Sequence, residues 1–101
     1  MEITGVDQLA AILEQNERVV VDCFASWCGP CKRVAPLLHD LARQRPEISL
    51  VMLNVDEAEQ ELVTRLGVAS LPTVLFYARG TQVQKIVGAK LDELRAAFTS
   101  L

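Results

Sequence analysis

Residues Val19-Val20-Val21-Asp22-Cys23-Phe24-Ala25 form a β-branched, nearly continuous apolar run, broken only by one carboxylate. A strand with one wet face alternates polar and apolar residues, so a run without alternation marks a strand covered on both faces, at the centre of a sheet. This chain must therefore lay helices on both sides of that strand. Directly after it come Trp27-Cys28-Gly29-Pro30-Cys31-Lys32, then Val34, Leu37, Leu38 and Leu41 at helical spacing. Both cysteines thus stand where a buried strand turns into a helix.

That placement has chemical consequences. The first turn of a helix gathers unpaired backbone N–H groups and the positive end of the dipole, and both favour a thiolate over a thiol. Cys28 is the expected nucleophile, with Cys31 one turn on and buried behind it. Gly29 allows a tight turn, and Pro30 suits the first helical turn, where its missing N–H costs nothing. Two intervening residues suit an intramolecular disulfide. The alternatives are a zinc half-site, which lacks a second ligand pair, and two inert core cysteines, against which the Gly-Pro turn speaks.

With 101 residues, half of them apolar, the chain makes one compact domain spanning 1–101. A net charge of −3 and a pI near 5.0 offer no basic footprint for nucleic acid, and no run approaches the roughly 18 apolar residues of a membrane span. The expectation is a soluble protein. Met1-Glu2-Ile3-Thr4-Gly5 lacks the positive region and apolar core of a signal peptide, which makes the cytoplasm the default compartment. Three cysteines do not make a disulfide scaffold, and in a reducing compartment a CxxC pair reads as catalytic or metal-binding.

The spacing predicts a short edge strand in Met1–Thr4 and an amphipathic helix from Val6 to about Asn16, capped by Thr4 or Gly5. The helix after the cysteines should run to about Arg45, stopped by Pro46 and kinked at Pro36. Ile48–Val55 reads as a second buried strand. Asp56 is expected to cap a helix reaching Leu66, with Glu59 completing a capping box and Gly67 ending it. Thr73–Tyr77 and Gln82–Val87 read as a hairpin around Ala78-Arg79-Gly80-Thr81, the second strand alternating as an edge strand does. Leu91, Leu94, Ala97 and Phe98 mark a last helix. The order β-α-β-α-β-α-β-β-α predicts an α/β domain with a mixed sheet.

Trp27-Cys28-Gly29-Pro30-Cys31-Lys32, after a strand containing Asp22, is similar letter for letter to the active-site motif of the thioredoxin family. The resemblance extends along the chain: Leu71-Pro72-Thr73 falls where thioredoxins carry a cis-proline, and Val87-Gly88-Ala89 where they carry a glycine turn near the disulfide. It implies the thioredoxin fold, a central mixed five-stranded β-sheet flanked by four helices. It also implies a monomeric dithiol carrier that reduces protein disulfides through a reversible Cys28-Cys31 disulfide. Such a carrier binds no cofactor or metal and is re-reduced by an NADPH-linked flavoprotein thioredoxin reductase.

By the same resemblance, Asp22 moves the proton to or from Cys31, and Pro72 is cis, leaving the backbone of Leu71 free to pair with an extended substrate. Trp27, Gly29, Pro30, Leu71, Gly88 and Ala89 then form a flat apolar rim that docks partners. Two departures stand out. Many bacterial thioredoxins place a lysine near the buried aspartate where this chain has Met52, so desolvation alone should raise the Asp22 pKa. Phe24 stands where many relatives have a second tryptophan. Strand alternation turns Cys23 to the face opposite Asp22, as a buried inert thiol, while His39 and Lys32 read as solvated helix residues, Lys32 adding positive charge near the thiolate. Two rival functions remain open to the sequence: a non-catalytic subunit of a larger complex, and a dedicated oxidoreductase, oxidant or isomerase serving one partner.

Overall fold

The computed structural model describes residues 1–101. Elements follow in the order β1 Glu2–Ile3, α1 Val6–Gln15, β2 Arg18–Phe24, α2 Cys31–Gln44, β3 Ile48–Asn54, α3 Gln60–Leu66, β4 Thr73–Ala78, β5 Thr81–Val87 and α4 Leu91–Ser100. The five strands form one sheet in the order β1-β3-β2-β4-β5, with β2 in the middle. It pairs in parallel with β3 and antiparallel with β4, which makes the sheet mixed.

Parity along β2 sorts the core into two layers. Even-numbered Val20 shares its face with Val74, Phe76 and Ile86 and packs against Val34, Leu37 and Leu38 of α2 and Leu94, Ala97 and Phe98 of α4. Phe76 and Phe98 meet edge-to-face, centroids 5.8 Å apart. Odd-numbered Val19, Val21 and Cys23 join Val51, Leu53, Leu75 and Tyr77 under Leu9 of α1 and Leu62 of α3. Asp22, an even position, therefore faces the α2 side, and Cys23 faces away from it.

Helix α2 begins at Cys31, after Pro30, and ends with Arg45 as its C-cap directly before Pro46, whose ring disfavours helical geometry in the preceding residue. Pro36 sits on its exposed side and leaves the helix unbroken. At α3 the expectation fails. Asp56 does not cap a helix; residues 55–57 form a turn, and α3 starts only at Gln60, with Glu59 as the preceding residue. The Glu59 carboxylate serves a different helix, accepting the Val6 N–H of α1 at 3.0 Å, while Glu59 N–H donates to Thr4 O at 2.7 Å. Gln8 Oε1 accepts the neighbouring Gly5 N–H at 3.0 Å, so the N-terminus of α1 is satisfied from two directions. A tertiary contact outcompetes the local capping box here because the Val6 N–H, a donor with no partner inside α1, lies within reach of the Glu59 carboxylate.

Gly67 closes α3 in the left-handed region at φ 67°, and Lys85 of β5 donates to its carbonyl at 3.0 Å. The β4–β5 connection is tighter than expected: only Arg79 and Gly80 lie between the strands, with φ 52° and 79°. A bulge follows, pairing Tyr77 with Gln82 and Phe76 with Gln84, so Val83 has no partner. That extra residue breaks the expected alternation, leaves Val83 exposed, and makes Ile86 the sole buried residue of β5. No helix is long and apolar enough to cross a membrane.

Candidate active site

Cys28 and Cys31 are joined in a disulfide with a Cα–Cα separation of 5.4 Å. Cys28 lies in the turn before α2 and Cys31 is the first residue of the helix. The Cys31 N–H, one of the donors with no partner inside the helix, points at Cys28 Sγ from 3.2 Å. A sulfur receiving such a bond at a helix N-terminus is stabilised as a thiolate. Both cysteines are nearly covered, each 4% exposed, so Cys31 is no more deeply buried than its partner. Ala25 packs directly against the pair, with Phe24, Val55 and Leu71 around it.

The Leu71–Pro72 bond is cis. Leu71 reaches the disulfide cluster, and the Pro72 carbonyl accepts the Gly88 N–H at 2.8 Å, tying the start of β4 to the end of β5. Gly88 sits at φ 96°, a conformation that favours glycine. Ala89 does not join the sulfurs; it packs against the α2–α4 layer. Gly29 also departs from expectation. Its φ lies outside the left-handed region, and a Cβ there would meet nothing within 4 Å, so the turn does not need glycine and the space above it is open.

Asp22 is fully covered, and neither carboxylate oxygen has a hydrogen-bond partner. Burial without a partner raises its pKa from 3.8 to about 7. Its cross-strand neighbours are Met52 on β3 and Val74 on β4, so no cation stands beside it in the sheet. Phe24, two residues on and on the same face, packs on the disulfide cluster. Cys23, on the other face, is pushed up to about 12 by burial and by Asp22, and remains a free thiol.

Trp27 is 70% exposed, and its indole Nε1 donates to Asp56 Oδ2 at 2.8 Å. Asp56 is the site residue that sequence reasoning missed, because a partner 29 positions away leaves no local signal. Trp27 and Leu71 wall an apolar groove of about 220 Å³ together with Val55, Val63, Val68 and Ala69. His39 is exposed on α2, and no three His, Cys, Asp or Glu side chains converge as a metal site would require.

A family model for thioredoxin matches residues 3–100. The chain belongs to the thioredoxin family. It is 37% identical over 91 residues to thioredoxin-2 of Saccharomyces cerevisiae, covering 90% of this chain and 86% of that protein. It is 41% identical over 91 residues to the bifunctional thioredoxin reductase/thioredoxin of Mycobacterium leprae, covering 89% of this chain and only 20% of that longer protein. The structure superposes on oxidised mitochondrial thioredoxin 3 of S. cerevisiae with a TM-score of 0.94 at 30% identity, covering 100% of this chain and 94% of that one. With a CxxC disulfide at the start of α2 in a thioredoxin fold, the protein is a thioredoxin-type dithiol–disulfide oxidoreductase.

Proposed function

We propose that this protein is a two-electron carrier that reduces protein disulfides. The observation supporting this most directly is the Cys31 N–H aimed at Cys28 Sγ at the mouth of α2. Once the pair is reduced, the Cys28 thiolate attacks one sulfur of a substrate disulfide, and the other substrate sulfur leaves as a thiolate. Cys31 then gives its proton to Asp22 and attacks Cys28 Sγ, closing the Cys28-Cys31 disulfide and releasing the second substrate thiolate. Two electrons pass from the dithiol to the substrate. A carboxyl that titrates near 7 can take that proton at neutral pH, which an ordinary aspartate does poorly.

In this reading Trp27, Gly29, Pro30, Leu71 and Pro72 form the docking rim, with Gly88 supporting Pro72 and Ala89 beside it. Thioredoxin reductase returns the disulfide to the dithiol with electrons from NADPH; the fused M. leprae relative, named for both activities, supports that pairing. The carrier works as a monomer in the reducing setting of the cytoplasm. The bulge and the central Lys85 on β5 support the monomer, since both discourage strand addition at that edge.

Insulin reduction with thioredoxin reductase and NADPH tests the cycle, and turnover is expected. Cys31→Ser should accumulate mixed disulfides through Cys28. A Cys28→Ser/Cys31→Ser variant that kept full biological function would show a scaffold instead.

A further inference from the structure

We infer that the surface around the dithiol is polarised, and that it favours disulfides whose attacked cysteine is flanked by an apolar side chain on one side and a carboxylate on the other. This rests on the thiol–disulfide reading above and specifies its substrates. Two concavities adjoin the Cys28-Cys31 pair and share no residue. One is the apolar groove between Trp27 and Leu71. The other, about 310 Å³, is walled by Cys31, Phe24, Ala25, Ala35 and Met52, and its one charged lining residue is Lys32.

Charge around these two hollows is uneven. Lys32 and Arg33 follow the disulfide in the first turn of α2, both exposed and neither ion-paired. The acids of the β3–α3 loop and the first turn of α3 are largely engaged: Asp56 holds the Trp27 indole, Glu59 holds the Val6 N–H, and Glu61 pairs with Arg65 at 2.7 Å. Only Glu57 of that stretch has no side-chain partner. Bonds to neutral N–H groups leave Asp56 and Glu59 their charge, so the loop side stays negative while Lys32 and Arg33 make the α2 side positive. A carboxylate on the substrate finds free partners over α2 and few over the groove, which takes an apolar side chain instead.

The test uses reduced protein, with the thiolate fraction of parent and variants read by ultraviolet thiolate absorbance at the assay pH and divided out of every rate. Rates are measured with a dicarboxylate disulfide, a neutral hydroxyethyl disulfide and cationic cystamine, each normalised to its rate with a small neutral thiol. At low ionic strength the anionic disulfide should outpace the cationic one by about 3- to 10-fold, and the ratio should collapse in 0.5 M salt. In Lys32→Glu/Arg33→Glu the anionic-to-cationic rate ratio should reverse, each rate being taken relative to the neutral disulfide in the same protein.

For the apolar half, a peptide disulfide flanked by Leu and Glu should react about 3- to 10-fold faster than its Leu→Gly version. That advantage should vanish in Ala69→Asp, a change at an exposed residue of the groove. A charge ratio near one in the parent, unchanged in the double variant, overturns the polarity, and equal rates for the two peptides overturn the groove. Failure to reduce the neutral disulfide would instead overturn the proposed function itself.

Discussion

Trp27 Nε1 donates to Asp56 Oδ2 at 2.8 Å, bridging the turn before α2 and the loop after β3. This bond holds the protein's one tryptophan, an exposed ring, upright as a wall beside the disulfide. Asp56→Ala should free the ring: tryptophan anisotropy falls and kcat/KM for a protein disulfide drops about 3- to 10-fold, while stability changes by no more than about 1 kcal/mol, as expected for an exposed hydrogen bond. Asp56→Asn keeps an acceptor and should behave like the parent. Unchanged anisotropy in the alanine variant would rule out the clamp.

Asp22 makes stability depend on pH in an unusual direction. Unfolded, it ionises near 3.8; folded, it keeps its proton to about 7. Between those values the folded state binds more protons, so stability falls as pH rises through the window and levels off above it, by roughly 4 kcal/mol at most. Urea unfolding of Asp22→Asn from pH 4 to 8 should show that slope removed and the variant more stable than the parent at pH 8. Parallel curves for the two proteins would contradict the assignment. Resolution of the mixed disulfide should slow about 10- to 100-fold in the same variant.

Met52 pairs with Asp22 across β2 and β3, so a cation at 52 would lie on the same sheet face as the carboxyl. Met52→Lys should bring the Asp22 titration down by about 1 to 3 from its value near 7, read by carboxyl NMR. A parent carboxyl already titrating as an ordinary aspartate would refute the burial argument.

Cys23 is fully covered among Val21, Leu53 and Leu75. Native alkylation of the reduced protein should label Cys28 quickly, Cys31 more slowly because it keeps its proton, and Cys23 only after urea is added. Cys23→Ser places a hydroxyl in that apolar layer and should cost about 1–3 kcal/mol, with disulfide reduction unchanged. Loss of activity without loss of stability would assign Cys23 a redox role.

Gly29 has no left-handed φ, and a methyl group added at its Cα would meet no neighbour within 4 Å. Gly29→Ala should therefore fold at least as stably as the parent, gaining about 0.4–1 kcal/mol. If Gly29 serves docking, kcat/KM for insulin falls while the rate with hydroxyethyl disulfide holds. Equal losses on both substrates would place the effect on the sulfur itself.

Much of this is legible in the residues alone. An uninterrupted apolar strand can be buried only in the middle of a sheet, and β2 lies there; two-residue periodicity puts Asp22 and Cys23 on opposite faces; Pro46 and Gly67 end their helices where backbone sterics require. The misreadings cluster where a residue had a choice of partner. Asp56 and Glu59 carry a good local cap pattern, yet Asp56 takes the Trp27 indole and Glu59 the open N-terminus of α1. The bulge at Val83 likewise carries no local signal, and it shifts the register of Gln84 and the residues after it against β4 by one position.

Sequence alone determined the features that depend on spacing along one element: the strand–turn–helix placement of Cys28 and Cys31, the order of elements, and the single carboxylate inside an apolar strand. Tertiary structure decided which distant groups meet. The clamp on Trp27, the orphaned oxygens of Asp22 and the open space over Gly29 depend on what two or more separate segments bring to one place. Hydrogen bonds and desolvation act over a few ångströms of space, whatever the separation along the chain.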